Sequence, residues 1–114
     1  MSWWVYLGKK KSVKVNPHRE GGPYLIGGMA TAELNITYNY SLLYHRYIDK
    51  KEGLKWLHNK TAKETIHRLS MAVDELGTKR DEDYWAITRG NAGYALSILL
   101  EWATKHRLAK WVIH

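Results

Sequence analysis

Polar and apolar positions alternate most cleanly over residues 32–40. Leu34, Ile36, Tyr38 and Tyr40 fall on one face of an extended chain, and Glu33, Asn35, Thr37 and Asn39 on the other. This period of two predicts a strand whose apolar face meets the core. Residues 2–7 are rich in Trp, Val and Tyr, which favour strands. A polar turn, Gly8-Lys9-Lys10-Lys11, follows, and then Val13 and Val15 alternate with polar neighbours. Together these predict an N-terminal β-hairpin with a basic tip, whose lysines also discourage edge-to-edge pairing. Residues 16–23 read as loop, 24–26 as a short strand and Gly27-Gly28 as another turn.

The spacing then changes to three and four. Ser41 is placed to cap a helix over residues 42–50, with Leu43 and Tyr47 facing inward beside Leu42 and Ile48. Residues 54–59 are ambiguous, with Trp56 and Leu57 as anchors. Thr61-Ala-Lys-Glu64 matches a capping box, and the helix behind it carries Ile66, Leu69, Val73 and Leu76 on one stripe, with Gly77 as its stop. Residues 78–83 form a charged loop, and 84–87 read as one helical turn. Asn91 is the expected N-cap of a last helix reaching Arg107. Ala95, Leu96, Leu99, Leu100, Trp102 and Ala103 make that helix apolar on most sides, so it is expected at the centre. Residues 110–113 close the chain as a short strand. Strands, then helices, then one strand predict an α+β fold: a small antiparallel sheet (N-terminal hairpin, central strand, C-terminal strand) packed against about three helices. The chain of 114 residues is read as a single domain without repeats, linkers or low-complexity tracts.

Composition narrows the function classes. Hydrophobic residues are 45% and charged residues 25%, which are globular values. No apolar run is long enough to cross a membrane, the N-terminus has no signal-peptide pattern, and the expectation is a cytoplasmic protein. With no cysteine, disulfides, thiolate metal sites and cysteine nucleophiles are excluded. The net charge is +7. Residues 1–57 hold nine bases against four acids, and residues 58–114 nine against seven. The densest basic stretch is Lys9, Lys10, Lys11, Lys14 and Arg19. It serves solubility, and it also attracts phosphates. Phe is absent, while Trp is 6 and Tyr is 8. Six tryptophans are too many for full burial in a domain this small, so one or two should line a groove, an interface or a symmetric homodimer contact.

Three segments are candidates for chemistry. Asn35, Thr37 and Asn39 project together from the predicted strand. Asn is disfavoured in strands because its amide competes for backbone hydrogen bonds, so the row is either a solvated sheet face or a grip on a ligand. Trp85, Arg89 and Asn91 flank a small-residue helix start, which is either tight packing or an anion site with a stacking ring. Gly21-Gly22-Pro23 and Gly27-Gly28 make a flap or an ordinary loop; they match no phosphate-binding motif. The six histidines, among them His18, have no metal-ligand spacing, no serine sits in a nucleophile elbow, and Asp81-Glu82-Asp83 reads as a solvated cluster. No cofactor or metal is expected, and the reading leans away from an enzyme.

Two segments carry a resemblance. One is Leu34-Asn-Ile-Thr-Tyr-Asn-Tyr-Ser41. The other combines Asp83-Tyr-Trp85, Gly90-Asn-Ala-Gly-Tyr-Ala-Leu96 and Leu99-Leu-Glu-Trp-Ala103. Both resemble a group of small, mostly uncharacterised proteins of bacteriophages and prophages, over less than a third of the chain. The resemblance implies a phage accessory context and transfers no catalytic residue. The leading expectation is a non-enzymatic accessory protein that binds and neutralises a host component, either a host protein or a nucleotide signal, through Asn35, Thr37, Asn39, Trp85, Arg89 and Asn91. The alternatives are a nucleic-acid binder using the basic N-terminal stretch and a small nucleotide-processing enzyme.

Overall fold

The computed structural model describes residues 2–8, 32–83 and 86–114. Among the described residues, three strands form one antiparallel sheet in the order β2-β1-β3, with β1 Ser2–Leu7, β2 Glu33–Thr37 and β3 Trp111–Ile113. Three α-helices among these residues accompany it: α1 Ser41–Tyr47, α2 Ala62–Leu76 and α3 Arg89–Lys105. The α+β architecture expected from the order of patterns is present.

The middle strand is β1. Its register sets Trp3 opposite Ile36 and Val5 opposite Leu34 on one side, and Val5 opposite Ile113 and Leu7 opposite Trp111 on the other. Val5 and Tyr6 are thus paired on both edges by β2 and β3, and His114 and Ala32 extend the pairing to Trp4 and Leu7. The second hairpin strand expected at residues 12–15, the strand at 24–26 and the glycine flap lie outside the described residues.

Strand pairing places Trp3, Val5, Leu7, Leu34, Ile36, Trp111 and Ile113 on the buried face. The helices pack there. Tyr44 of α1 meets the Trp3 ring at 5.9 Å and donates its hydroxyl to the Ala92 carbonyl of α3 at 3.0 Å. The Trp111 indole N–H donates to the Thr65 hydroxyl at 3.0 Å, which donates to the Ala62 carbonyl at 2.8 Å. This chain of bonds satisfies a buried indole and joins sheet to α2 without leaving a polar atom unpaired.

The α2 reading holds. Glu64 Oε1 accepts from the Thr61 hydroxyl at 2.8 Å and from the Thr61 N–H at 3.4 Å, and Gly77 takes φ 78° at the C-terminus. The central place of α3 also holds, since Ala95, Leu96, Leu99, Trp102 and Ala103 are buried.

Several boundaries differ. The strand over 32–40 ends at Thr37, because Thr37 Oγ1 accepts the Asn39 N–H at 3.2 Å and starts a 3-10 turn, Tyr38–Tyr40, that runs straight into α1. Ser41 is therefore the first residue of α1 rather than its cap. The turn rotates the stripe, so Tyr44 and Ile48 are buried while Leu42 is 85% exposed. Residues 54–59 resolve into a 3-10 helix, Gly53–Leu57, that buries Leu54 and Leu57. α3 begins two residues before Asn91 and stops at Lys105.

Candidate functional site

The asparagine row does not form. Asn35 is buried, and its amide donates to Ser2 Oγ at 2.7 Å and to the Trp3 carbonyl at 3.2 Å. It is spent tying β2 to the start of β1, which explains an asparagine in a strand. Thr37 is a buried cap. Asn39 sits past the strand end, exposed in the 3-10 turn.

The helix start is also a packing device. Thr88, not Asn91, is the N-cap of α3, its hydroxyl accepting the Asn91 N–H at 3.1 Å. Asn91 is fully buried. Its Oδ1 accepts from the Asp81 N–H at 2.8 Å, and its Nδ2 donates to the carbonyls of Asp83 at 2.9 Å and Ala86 at 3.1 Å. One side chain thereby pins the preceding loop to the helix. A Cβ on Gly90 would stand 1.8 Å from the Lys79 carbonyl oxygen, and one on Gly93 1.8 Å from the Gly77 oxygen. The start of α3 is thus packed closely against the Lys79 and Gly77 carbonyls. Arg89 is exposed, donates to the Glu75 carbonyl at 2.8 Å and lies over the Tyr47 ring at 5.3 Å. Those are contacts of a cation capping the C-terminal end of α2. Trp85 lies outside the described residues, as do Lys9, Lys10, Lys11, Lys14 and Arg19. The named contacts of Asn35 and Thr37 are with β1 and the 3-10 turn, whereas Arg89 contacts α2 and Tyr47 and Asn91 contacts the loop before α3.

A different surface emerges from the sheet. The pleat that buries Trp3, Val5 and Leu7 turns Trp4 and Tyr6 to the opposite face. Trp4 is opposite Asn35, and Tyr6 is opposite Glu33 on one side and Val112 on the other. His114 exchanges two backbone bonds with Trp4, at 3.1 and 2.9 Å, which places it on the same face. The Trp4 and Tyr6 rings are stacked at 6.4 Å with 26° between planes, and His114 meets Tyr6 edge-on at 5.7 Å. Trp4 stays 36% exposed. A planar ligand inserted between two rings needs about 7–8 Å, two carbon contact distances. The 6.4 Å spacing is too small for that. The alternation within residues 2–7 was the available signal, but every position from Trp3 to Leu7 is apolar or aromatic, so it does not say which face is wet.

Elsewhere, aromatic and cationic groups stabilise the helical layer. Trp56 is flanked by the Lys60 ammonium and the Arg68 guanidinium, each 4.3 Å from its ring centroid, and Arg68 reaches Asp49 at 3.6 Å. Two carboxyls are held below their ordinary values. Asp49 is lowered first by the Glu52 N–H, then by the Lys51 N–H and the charges of Arg68 and Lys60. Glu64 is lowered by the hydroxyl and N–H of Thr61. A carboxyl depressed in the folded state contributes stability above its unfolded value and loses it as pH falls through the folded one. The contribution of these two groups to the melting temperature should therefore be complete down to about pH 5 and be lost below about pH 4, the ordinary carboxylate range. Asp49→Asn with Glu64→Gln should reduce that loss; an unchanged acid limb in the double variant would count against these two groups.

Among the described residues, no group of histidines and carboxylates is gathered to hold a metal ion, and no helix is long and apolar enough to cross a membrane. Comparison of the chain with protein-family models, with curated proteins and with solved structures finds no match.

Proposed function

We propose that this chain is a non-enzymatic accessory protein of phage type that works by binding, and that the outer face of its sheet takes a ligand carrying a nucleobase. The observation that carries this reading is the stacked Trp4–Tyr6 pair on the middle strand, with Trp4 left 36% exposed. A domain that buries Trp3, Trp102 and Trp111 has room for large rings in its core. Trp4 keeps 36% of its surface exposed, and a stacked base would cover that part. Charge agrees with a phosphate-bearing ligand, since the chain carries +7. Asn35, Thr37 and Asn91 serve as scaffold in this reading, not as contacts. The phage context rests on the resemblance of the strand and helix segments. Sequestering a nucleotide signal or coating a strand in the host cytoplasm is how such a protein would neutralise a host component.

The test is a titration at low salt with nucleoside monophosphates and a short labelled oligonucleotide, following tryptophan emission and anisotropy. Wild type should bind, with Trp emission quenched. Trp4→Ala should lose about 1–3 kcal/mol of binding, the usual worth of one stacked base, or about 5- to 150-fold in affinity. Its melting temperature should fall by a few degrees, since the ring is only 36% exposed and stacks on Tyr6, while the domain stays folded at the assay temperature. Full binding by Trp4→Ala, or no binding by wild type, refutes the reading.

A further inference from the structure

We propose that the ligand of the sheet face is a single strand of nucleic acid rather than a free nucleotide, and that its phosphate backbone leaves the aromatic face over Lys110 and continues across Lys63 and Arg107. This rests on the reading of Trp4 and Tyr6 as a base platform.

The geometry comes from β3 and what is hydrogen-bonded to it. On the outer side of the sheet, His114 lies beside Trp4 and Val112 beside Tyr6. Lys110 follows at the same parity, its carbonyl accepting the Gly8 N–H at 2.8 Å. Two residues along a strand advance about 7 Å, so Lys110 stands where the aromatic column ends.

The chain then carries the charge onto a second element. Lys110 bridges to Thr61, the cap of α2. The Ala62 N–H donates to the Ala109 carbonyl at 2.7 Å, and the Lys63 N–H to the Arg107 carbonyl at 2.8 Å. These bonds bring Lys63, Arg107 and Lys110 to one flank, and all three side chains are exposed. The same turn opens into a shallow cavity of about 450 Å³ lined by Lys105, His106, Arg107, Leu108 and Ala109. Among the described residues, Glu33 lies opposite Tyr6 on the sheet, Glu64 feels the charges of Lys60 and Lys110, and Glu101 pairs with Lys105 at 3.1 Å. The flank keeps its positive excess.

A mononucleotide carries its phosphates next to its one base. Cations that continue past the platform onto a second and a third segment are of use only to a polymer, whose phosphates repeat.

The experiment compares thymidine monophosphate with an oligothymidylate of about 12 nucleotides, within the usual site size for single strands. Two triple variants are measured over a salt series. One is Lys63→Ala with Arg107→Ala and Lys110→Ala. The other, Lys50→Ala with Lys51→Ala and Lys79→Ala, removes the same charge from exposed positions on other turns. Wild type should bind the oligonucleotide far more tightly than the monophosphate. The first triple should lose most of that preference and flatten the log K against log salt slope by about 2, three phosphates at about 0.7 each. The second triple should keep both. Lys110→Gln alone should flatten the slope by about 0.7, which keeps the test decisive if the triple melts early. Equal losses in the two triples, or equal affinity of wild type for monophosphate and oligonucleotide, would overturn the track. If neither probe binds wild type, the base-platform reading itself fails and takes this one with it. If Trp4→Ala abolishes oligonucleotide binding while the first triple behaves like the second, only the track fails.

Discussion

Gly93→Ala is expected to cost about 3 kcal/mol, the upper end of what overpacking costs, and to lower the melting temperature by roughly 10 °C. The added Cβ would lie 1.8 Å from the Gly77 carbonyl oxygen, 3.0 Å from its carbon and 2.9 Å from the Leu76 Cβ. None of these is the free end of a flexible side chain. The start of α3 and the end of α2 would have to move apart, and that contact anchors the buried Ala92, Ala95 and Leu96. Gly90→Ala should behave alike, because its Cβ would stand 1.8 Å from the Lys79 oxygen. The measurement is thermal and denaturant unfolding of both variants. A wild-type melting temperature for either would mean that the two helix ends do not approach as closely as the structure has them.

Asn91→Ala is expected to lose about 2–4 kcal/mol, from removal of buried hydrogen bonds worth about 1–3 kcal/mol each when a partner is left behind, less what water recovers. Three bonds go at once: from the Asp81 N–H, to the Asp83 carbonyl and to the Ala86 carbonyl. The loop they hold runs over exposed residues 81–83, where water has access to the released groups. Thr88→Ala, which loses only a helix cap, should cost about 1 kcal/mol. A denaturation midpoint for Asn91→Ala no lower than that of Thr88→Ala would return Asn91 to the set of ligand contacts. The expected result assigns it to the fold, since a residue whose loss unfolds the domain cannot be read as a binding residue from loss of binding.

Asn91 also shows where local reading stops. Asparagine beside glycine at a helix start has the same local signature for a cap, for an anion site and for a loop anchor. Which one it is depends on what lies across from it. Here that is the backbone of Asp81, Asp83 and Ala86. Asn35 is a similar case. Its alternation placed it on the wet face, and only the pairing of Ser2 with Thr37 and Trp3 with Ile36 brings the Ser2 hydroxyl and the Trp3 carbonyl within its reach.

What the sequence determined by itself was whatever depends on neighbours within about one helical turn or one strand. The Thr61–Glu64 capping box, the Gly77 stop, the apolar α3 and the α+β order of elements are of this kind, because each follows from spacing and backbone preference alone. Tertiary structure decided the rest. It made β1 the middle strand, because β3 returned to its free edge from the far end of the chain. The pleat against the core turned Trp4 and Tyr6 outward from residues 3–7, a run with no charged or amide residue to mark the wet side. The tertiary structure set Lys110 beside that face and Lys63 against Arg107 through backbone bonds between segments distant in sequence. Such contacts are selected by the packing of the whole core, and no local pattern of residues encodes them.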